Sequence, residues 1–232
     1  MTPPQAVIFD LDGCLVDSEP LSLGALATEM RAVGIPWATF EVARDRYLGV
    51  TVGDVCGAIA TALGEPCPAD FVENYQRHLY AAYEADLMPI APMVDLLDHV
   101  QGAGIATCIA SGGSPDRIGR TLEIAGIADR FDDRTFSGEQ VARGKPAPDL
   151  VLYAARRLGV KPARCVVIED SPHGIAGARS AGMRALGFTG GSHLDGIREA
   201  HARRLLDAGA ECVSSDAADI LRSIMGEMAD TI

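Results

Sequence analysis

The feature that most constrains this chain is a recurring change of period. Short, wholly apolar runs that stop at a polar residue alternate with longer segments whose apolar residues fall three and four apart. Ala6 to Phe9 is one such run, closed by Asp10 and too short for a helix, so it reads as a buried parallel strand. Ala106 to Ala110 and Cys165 to Ile168 repeat it, as do the less regular Arg184 to Phe188 and Glu211 to Val213. Between them the spacings Val94, Leu97, Val100, then Ile118, Leu122, Ala125, then Leu150, Ala154, Leu158, then Ile175, Ala178 predict helices. The first three of these stop near Gly102, Gly126 and Gly159. Strands alternating with helices predict an α/β fold with a parallel sheet covered by helices.

One stretch breaks the alternation. Residues 15–87 hold no strand pattern, only helical spacing near Leu21 to Val33, Val52 to Leu63 and Ala69 to Ala85, divided by Gly34-Ile35-Pro36 and Gly64-Glu65-Pro66. The expected organisation is therefore a core of residues 1–14 and 88–232 interrupted by a helical insertion of residues 15–87. That insertion carries four arginines against eleven acids, a net of −7, within a chain of formal charge −12. Nucleic acid and anionic membrane surfaces are repelled by such a balance and are excluded as partners. A small anionic ligand must be drawn in by a local site. Met1-Thr2-Pro3-Pro4 lacks a basic segment followed by a long apolar stretch, and no apolar run approaches spanning length, so a cytoplasmic chain, monomeric or weakly dimeric, is expected. Six scattered cysteines with no CxxC pair signal neither a zinc site nor a disulfide framework.

Four clusters carry chemistry. In Asp10-Leu11-Asp12-Gly13, the period of two lets both aspartates project to one side as the strand ends, and Gly13 permits a sharp turn. Ser111-Gly112-Gly113-Ser114-Pro115 follows the second strand and can offer the Ser111 hydroxyl and free backbone amides, such as that of Gly112, to a phosphate, with Ser114 as N-cap and Pro115 at the first helical position. Gly144-Lys145-Pro146-Ala147-Pro148-Asp149 contains one of only two lysines in the chain, beside prolines that restrict its backbone. Glu169-Asp170-Ser171 ends another strand ahead of a helix placed near Gly174. Taken singly, each has an ordinary alternative: an acidic turn, a capped loop, a solvated lysine, a cap. Together they differ, because open parallel sheets bind ligands outside the carboxyl ends of their strands. Asp10, Asp12, Glu169 and Asp170 in one crevice call for a hard cation, and oxygen-only ligands favour Mg2+. Ser111 and Lys145 then suit phosphate oxygens.

With these four clusters in this order and at these spacings, the chain resembles the haloacid dehalogenase superfamily over nearly its whole length. Phe136-Ser137-Gly138 and the Lys145 segment resemble the subgroup of β-phosphoglucomutase and the 6-phosphogluconate and sugar-phosphate phosphatases. The resemblance implies a Rossmann-like core with a helical cap after the first strand, and an aspartyl-phosphate mechanism acting on a small phosphorylated metabolite. It implies Asp10 as nucleophile, Asp12 as general acid and base, Ser111, Gly112 and Lys145 on the phosphate, and Mg2+ held by Asp10, the Asp12 carbonyl, Glu169 and Asp170. Glu19, Gly49, Val50 and Thr51 of the cap would face the leaving group.

Departures from the pattern narrow the choice. Cys14 stands where threonine or valine is usual. Asp12 rules against a dehalogenase, and the lysine-free insertion against a phosphonoacetaldehyde hydrolase. Ser22, Leu48 and Val52 occupy positions where the mutase has a histidine and cationic residues, which favours water over a second sugar phosphate as acceptor. A phosphosugar mutase is the enzymatic alternative, and a catalytically silent phosphometabolite-binding protein the non-enzymatic one. Replacing Val50 and Thr51 separately by bulky residues is expected to reorder specificity constants across sugar phosphates relative to a small aryl phosphate. An equal fall for every substrate would remove this segment from selection.

Overall fold

Wholly apolar strands can be satisfied only where both faces of a sheet are covered. In the computed structural model, which describes residues 3–226, that is how they are used. The elements run β1 (Ala6–Phe9), α1 (Glu19–Ala32), α2 (Phe40–Tyr47), α3 (Val52–Leu63), α4 (Phe71–Asp86), α5 (Ala91–Gly102), β2 (Ala106–Ser111), α6 (Pro115–Ile124), β3 (Thr135–Ser137), α7 (Asp149–Arg157), β4 (Cys165–Glu169), α8 (Pro172–Ser180), β5 (Arg184–Phe188), α9 (Arg198–Asp207), β6 (Cys212–Ser214) and α10 (Ala217–Met225). The chain divides into two compact units, Ser18–Met88 and the residues on either side of it.

The outer segments build a six-stranded parallel sheet of order β3-β2-β1-β4-β5-β6. Alternation along the strands sends Ala6, Ile8, Cys108, Ala110, Cys165, Val167 and Ala185 to one face. There they pack with Leu150, Val151 and Ala154 of α7, Ile175 and Ala178 of α8, and Leu205 of α9. Val7, Phe9, Ile109, Val166, Ile168 and Leu186, equally buried, point the other way, and α5 and α10 pack against β2 and β5. The chain moves outward from β1 through β2 to β3, then returns to the other side of β1 for β4. The switch point thus lies between the carboxyl ends of β1 and β4.

The register there is explicit. Phe9 lies opposite both Ile109 and Ile168, and the Asp10 amide donates to the Ile168 carbonyl at 2.9 Å. After Asp10 the backbone folds on itself: Gly13 takes φ +73°, its amide donates to Val16, and Leu15 and Val16 donate back to Leu11. A Val16–Pro89 bridge and a 2.8 Å bond from the Ile90 amide to Leu15 keep Leu15 and Val16 with the sheet.

Within Ser18–Met88, α4 buries Phe71, Tyr75, Leu79 and Tyr83, a four-residue spacing that lines one helix face. Leu23 and Ala27 of α1 pack with Ala43 of α2, and Ser22 Oγ lies 2.9 Å from Tyr75 Oη. Thr39 and Thr51 cap α2 and α3, accepting from Val42 and Asp54.

The parallel α/β architecture expected from periodicity is the one observed, and Ser114 caps α6 with Pro115 in its first turn as expected. Five elements differ from the sequence reading, among them α9 and α10, for which it gave no helical spacing. The three-residue edge strand β3 is too short to show a period. Helix α2 buries only Ala43 among charged neighbours, so it shows no apolar stripe. Helix α8 begins at Pro172, capped by Ser171, and not at Gly174. All six cysteines are free, and among the described residues no helix is long and apolar enough to cross a membrane.

Candidate active site

Because β1 and β4 are hydrogen-bonded neighbours in register, the residues that end them must lie side by side. Asp10 and Glu169 do so, and both are buried. Lys145 reaches them from the loop ahead of α7: its Nζ is 2.5 Å from Asp10 Oδ1 and also contacts Glu169 Oε1. That loop is seated on α8, where a Cβ on Gly177 would stand 3.1 Å from the Ala147 carbonyl and 3.3 Å from that of Pro146. Glu169 is fixed further by the Ser171 amide, which donates to Oε2 at 3.2 Å. Asp170 follows in the same crevice, and ligand atoms of Asp10, Cys14 and Asp170 lie within 4.8 Å of one another.

The electrostatics follow from burial. Asp10 is pushed well above the usual carboxylate range by desolvation, opposed by Lys145 and reinforced by Glu169, Asp170 and Asp12. Glu169 is raised for the same first reason. Burial alone would lower the Lys145 ammonium, but Asp10 and Glu169 outweigh it and hold the amine charged. The Cys14 thiol is driven up by desolvation and by the carboxylates around it, which keeps it protonated. Asp10 and Glu169 thus share one buried ammonium, with Asp170 in the same crevice. The charge deficit and the oxygen-rich donor set fit a hard divalent cation.

Asp12 occupies a different setting two residues on. Its Oδ1 accepts from Arg117 Nη2 at 2.9 Å and its Oδ2 from Ser111 Oγ at 3.4 Å. Ser111 Oγ in turn accepts from the Gly113 amide at 3.1 Å. Ser137, at the end of β3, donates to the Gly113 carbonyl at 2.6 Å and so ties down the loop containing Gly112.

Asp10, Lys145, Glu169 and Asp170 therefore come together, with Asp12 and Ser111 beside each other at the ends of β1 and β2. Glu19 opens α1, Gly49 and Val50 lie between α2 and α3, and Thr51 caps α3, all within the Ser18–Met88 unit.

Sequence reasoning missed Arg117, His193 and His201. Arg117 carried a usable signal: in the first turn after Ser114-Pro115, a side chain leans back toward the helix start and so toward the strand ends. His193 follows Gly190-Gly191, a pair that marks close backbone approach. His201 carried no signal, lying in a helix half of whose residues are charged. Its Nε2 meets the Asp170 carbonyl at 2.6 Å, and burial lowers its pKa and favours the neutral ring.

Comparison with known proteins finds relatives over most of the chain. The description haloacid dehalogenase-like hydrolase matches residues 4–182. A phosphorylated carbohydrates phosphatase of Thermotoga maritima is 31% identical over 89% of this chain and 92% of its own length. A probable phosphatase, IndB, of Dickeya dadantii is 30% identical over 90% of this chain and 92% of its own. Among solved structures, a conserved haloacid dehalogenase-like protein of Agrobacterium tumefaciens str. C58 superimposes with a TM-score of 0.81 at 34% identity, covering 96% of this chain and 98% of that one.

Gly174 tests the packing around Glu169. A Gly→Ala change inside a helix ordinarily stabilises by about 1 kcal/mol, and Gly119 of α6, with open space around it, should behave so. At Gly174 the new methyl would overlap the Glu169 carboxylate. Forcing it off Lys145 breaks a buried pair at a cost of roughly 3–5 kcal/mol. Gly174→Ala is therefore expected to be destabilising by about 2–4 kcal/mol in urea denaturation, with activity lost, while Gly119→Ala is not.

Proposed function

The chain belongs to the haloacid dehalogenase-like hydrolases, and we propose that it is a phosphatase that hydrolyses a small phosphorylated metabolite of the sugar-phosphate class through an aspartyl-phosphate. The observation that carries this reading is the convergence of Asp10, Lys145, Glu169 and Asp170 at the β1/β4 switch point, with Asp12 held separately by Arg117 and Ser111. The names of the relatives support the substrate class.

The two aspartates that follow β1 divide the work because their surroundings differ. Asp10 attacks phosphorus as the bond to the leaving alkoxide breaks, and a proton on Asp12 passes to that oxygen. A water then attacks the phosphoryl group on Asp10, its proton is taken by Asp12, and inorganic phosphate leaves with the Asp10 carboxylate restored. Lys145 and Ser111 hold the phosphoryl oxygens where charge gathers. Arg117 fixes the plane of the Asp12 carboxylate between substrate and water. Asp10, Glu169 and Asp170 would hold Mg2+ with the Asp12 carbonyl; when bound, the ion supplies the positive charge that lets an anionic nucleophile approach a phosphate dianion.

Asp10→Asn keeps the shape but removes the nucleophile, so turnover of an aryl phosphate should fall on the order of 10⁴-fold or more with the fold unchanged by circular dichroism. Ordinary activity in that variant would overturn the assignment. Exhaustive chelation is expected to abolish turnover and added Mg2+ to restore it; full activity after chelation would remove the metal from the mechanism.

A further inference from the structure

The segment after β5 is built around the Asp170 carboxylate. It reads Phe188-Thr189-Gly190-Gly191-Ser192-His193, and its glycines are there for want of room. A Cβ on Gly190 would overlap the Phe188 ring, and one on Gly191 would stand 2.7 Å from the His193 ring and 2.9 Å from the Gly13 carbonyl. The Ser192 amide donates to Asp17 Oδ1 at 3.1 Å, which pins the turn against the loop after β1. A single 3-10 turn, Ser192–Leu194, then delivers the fully buried His193 ring to Asp170, with Nε2 3.1 Å from Oδ2. The two atoms are within ion-pair range though off the line of a hydrogen bond. Gly13 makes the approach possible, since a Cβ there would overlap Asp170 Oδ2 and stand 2.8 Å from His193 Cε1. His201 of α9, also buried, holds the Asp170 main chain: a carbonyl oxygen only accepts, so His201 Nε2 carries the proton of that 2.6 Å bond.

We infer that His193 and His201 are positioning residues for Asp170, His193 fixing the rotation of its carboxylate through Oδ2 and His201 fixing its backbone. With one oxygen engaged by an imidazole, the other is left for the cation. Partners behind a metal ligand orient it and raise affinity without touching the metal, and their loss typically weakens binding by about 10–100-fold. Nothing in the proposed chemistry uses either histidine directly. The inference rests on the phosphatase reading only in taking Asp170 as a Mg2+ ligand.

The test is Mg2+ affinity of the full chain, stripped with EDTA and titrated calorimetrically, so that it needs no turnover. His193→Leu fills the space without a donor and should weaken Mg2+ binding about tenfold or more. His193→Gln, whose amide nitrogen reaches the place of Nε2, should recover most of the affinity, whereas the shorter His193→Asn should not. His201→Leu should weaken binding too. Urea midpoints measured in EDTA separate loss of fold from loss of affinity. If His193→Leu does not fold, the Gln and Asn variants, both polar and one methylene apart, decide the question. Mg2+ affinity within twofold of wild type in folded His193→Leu, equal weakening by Gln and Asn, or absence of Mg2+ binding by the wild type would overturn the positioning role. A wild-type chain that binds Mg2+ but cleaves no phosphate ester would instead sink the phosphatase reading and leave the calorimetric comparison to decide this one.

Discussion

The buried ammonium of Lys145 between Asp10 and Glu169 is the interaction on which the rest of the sheet's rim depends. In-register pairing of β1 with β4 makes the two carboxylates neighbours, and both are removed from water. Two such charges cannot stay ionised together without a counter-charge. The lysine supplies it from a loop seated on α8 at Gly177, so the sheet, a helix and a loop are coupled by one group. Asp170 adds a further negative charge that Lys145 does not balance, and the same logic calls for a cation.

The contrast between Asp10 and Asp12 is the second consequence of that arrangement. They leave the same strand two residues apart, yet one meets a lysine and the other an arginine and a hydroxyl. Gly13 turns the chain directly after Asp12, and its lack of a side chain leaves space that Asp170 and His193 fill. A substitution at this glycine would therefore disturb more than the backbone.

Much of this was legible in the amino-acid sequence because it rests on local pattern. The runs closed by Asp10, Ser111 and Glu169 showed where strands end, and strand ends are where a parallel sheet binds. Lys145 stood out because lysine is scarce here and this one sits beside two prolines. What stayed hidden depends on where helices start in space. Arg117 meets Asp12 only because α6 begins at Pro115, and His201 meets Asp170 through a backbone carbonyl, which leaves no residue pattern. His193 was hidden differently: α8 and β5 lie between it and Asp170 in the chain, so no local period links the two, and only the glycines before it hinted at crowding. Helix α2 and strand β3 were missed because one buries a single residue and the other is three residues long, so neither shows a period.

The strand order has a consequence for how the chain must be made. β1 precedes the other described elements in the chain, but its partners come late: Ala6 pairs with Ala106 on one side and with Cys165 on the other. Non-local pairings of this span are slow to form, because the loop must close before the contact repays it. Until β4 has emerged, the central strand has one edge open and an apolar row of Val7, Ile8 and Phe9 exposed along it. The Ser18–Met88 helices, whose contacts are local by comparison, can consolidate in that interval. A nascent chain of this protein is therefore most vulnerable to aggregation between the appearance of its first strand and its fourth, the interval in which a holding chaperone would have the most to bind.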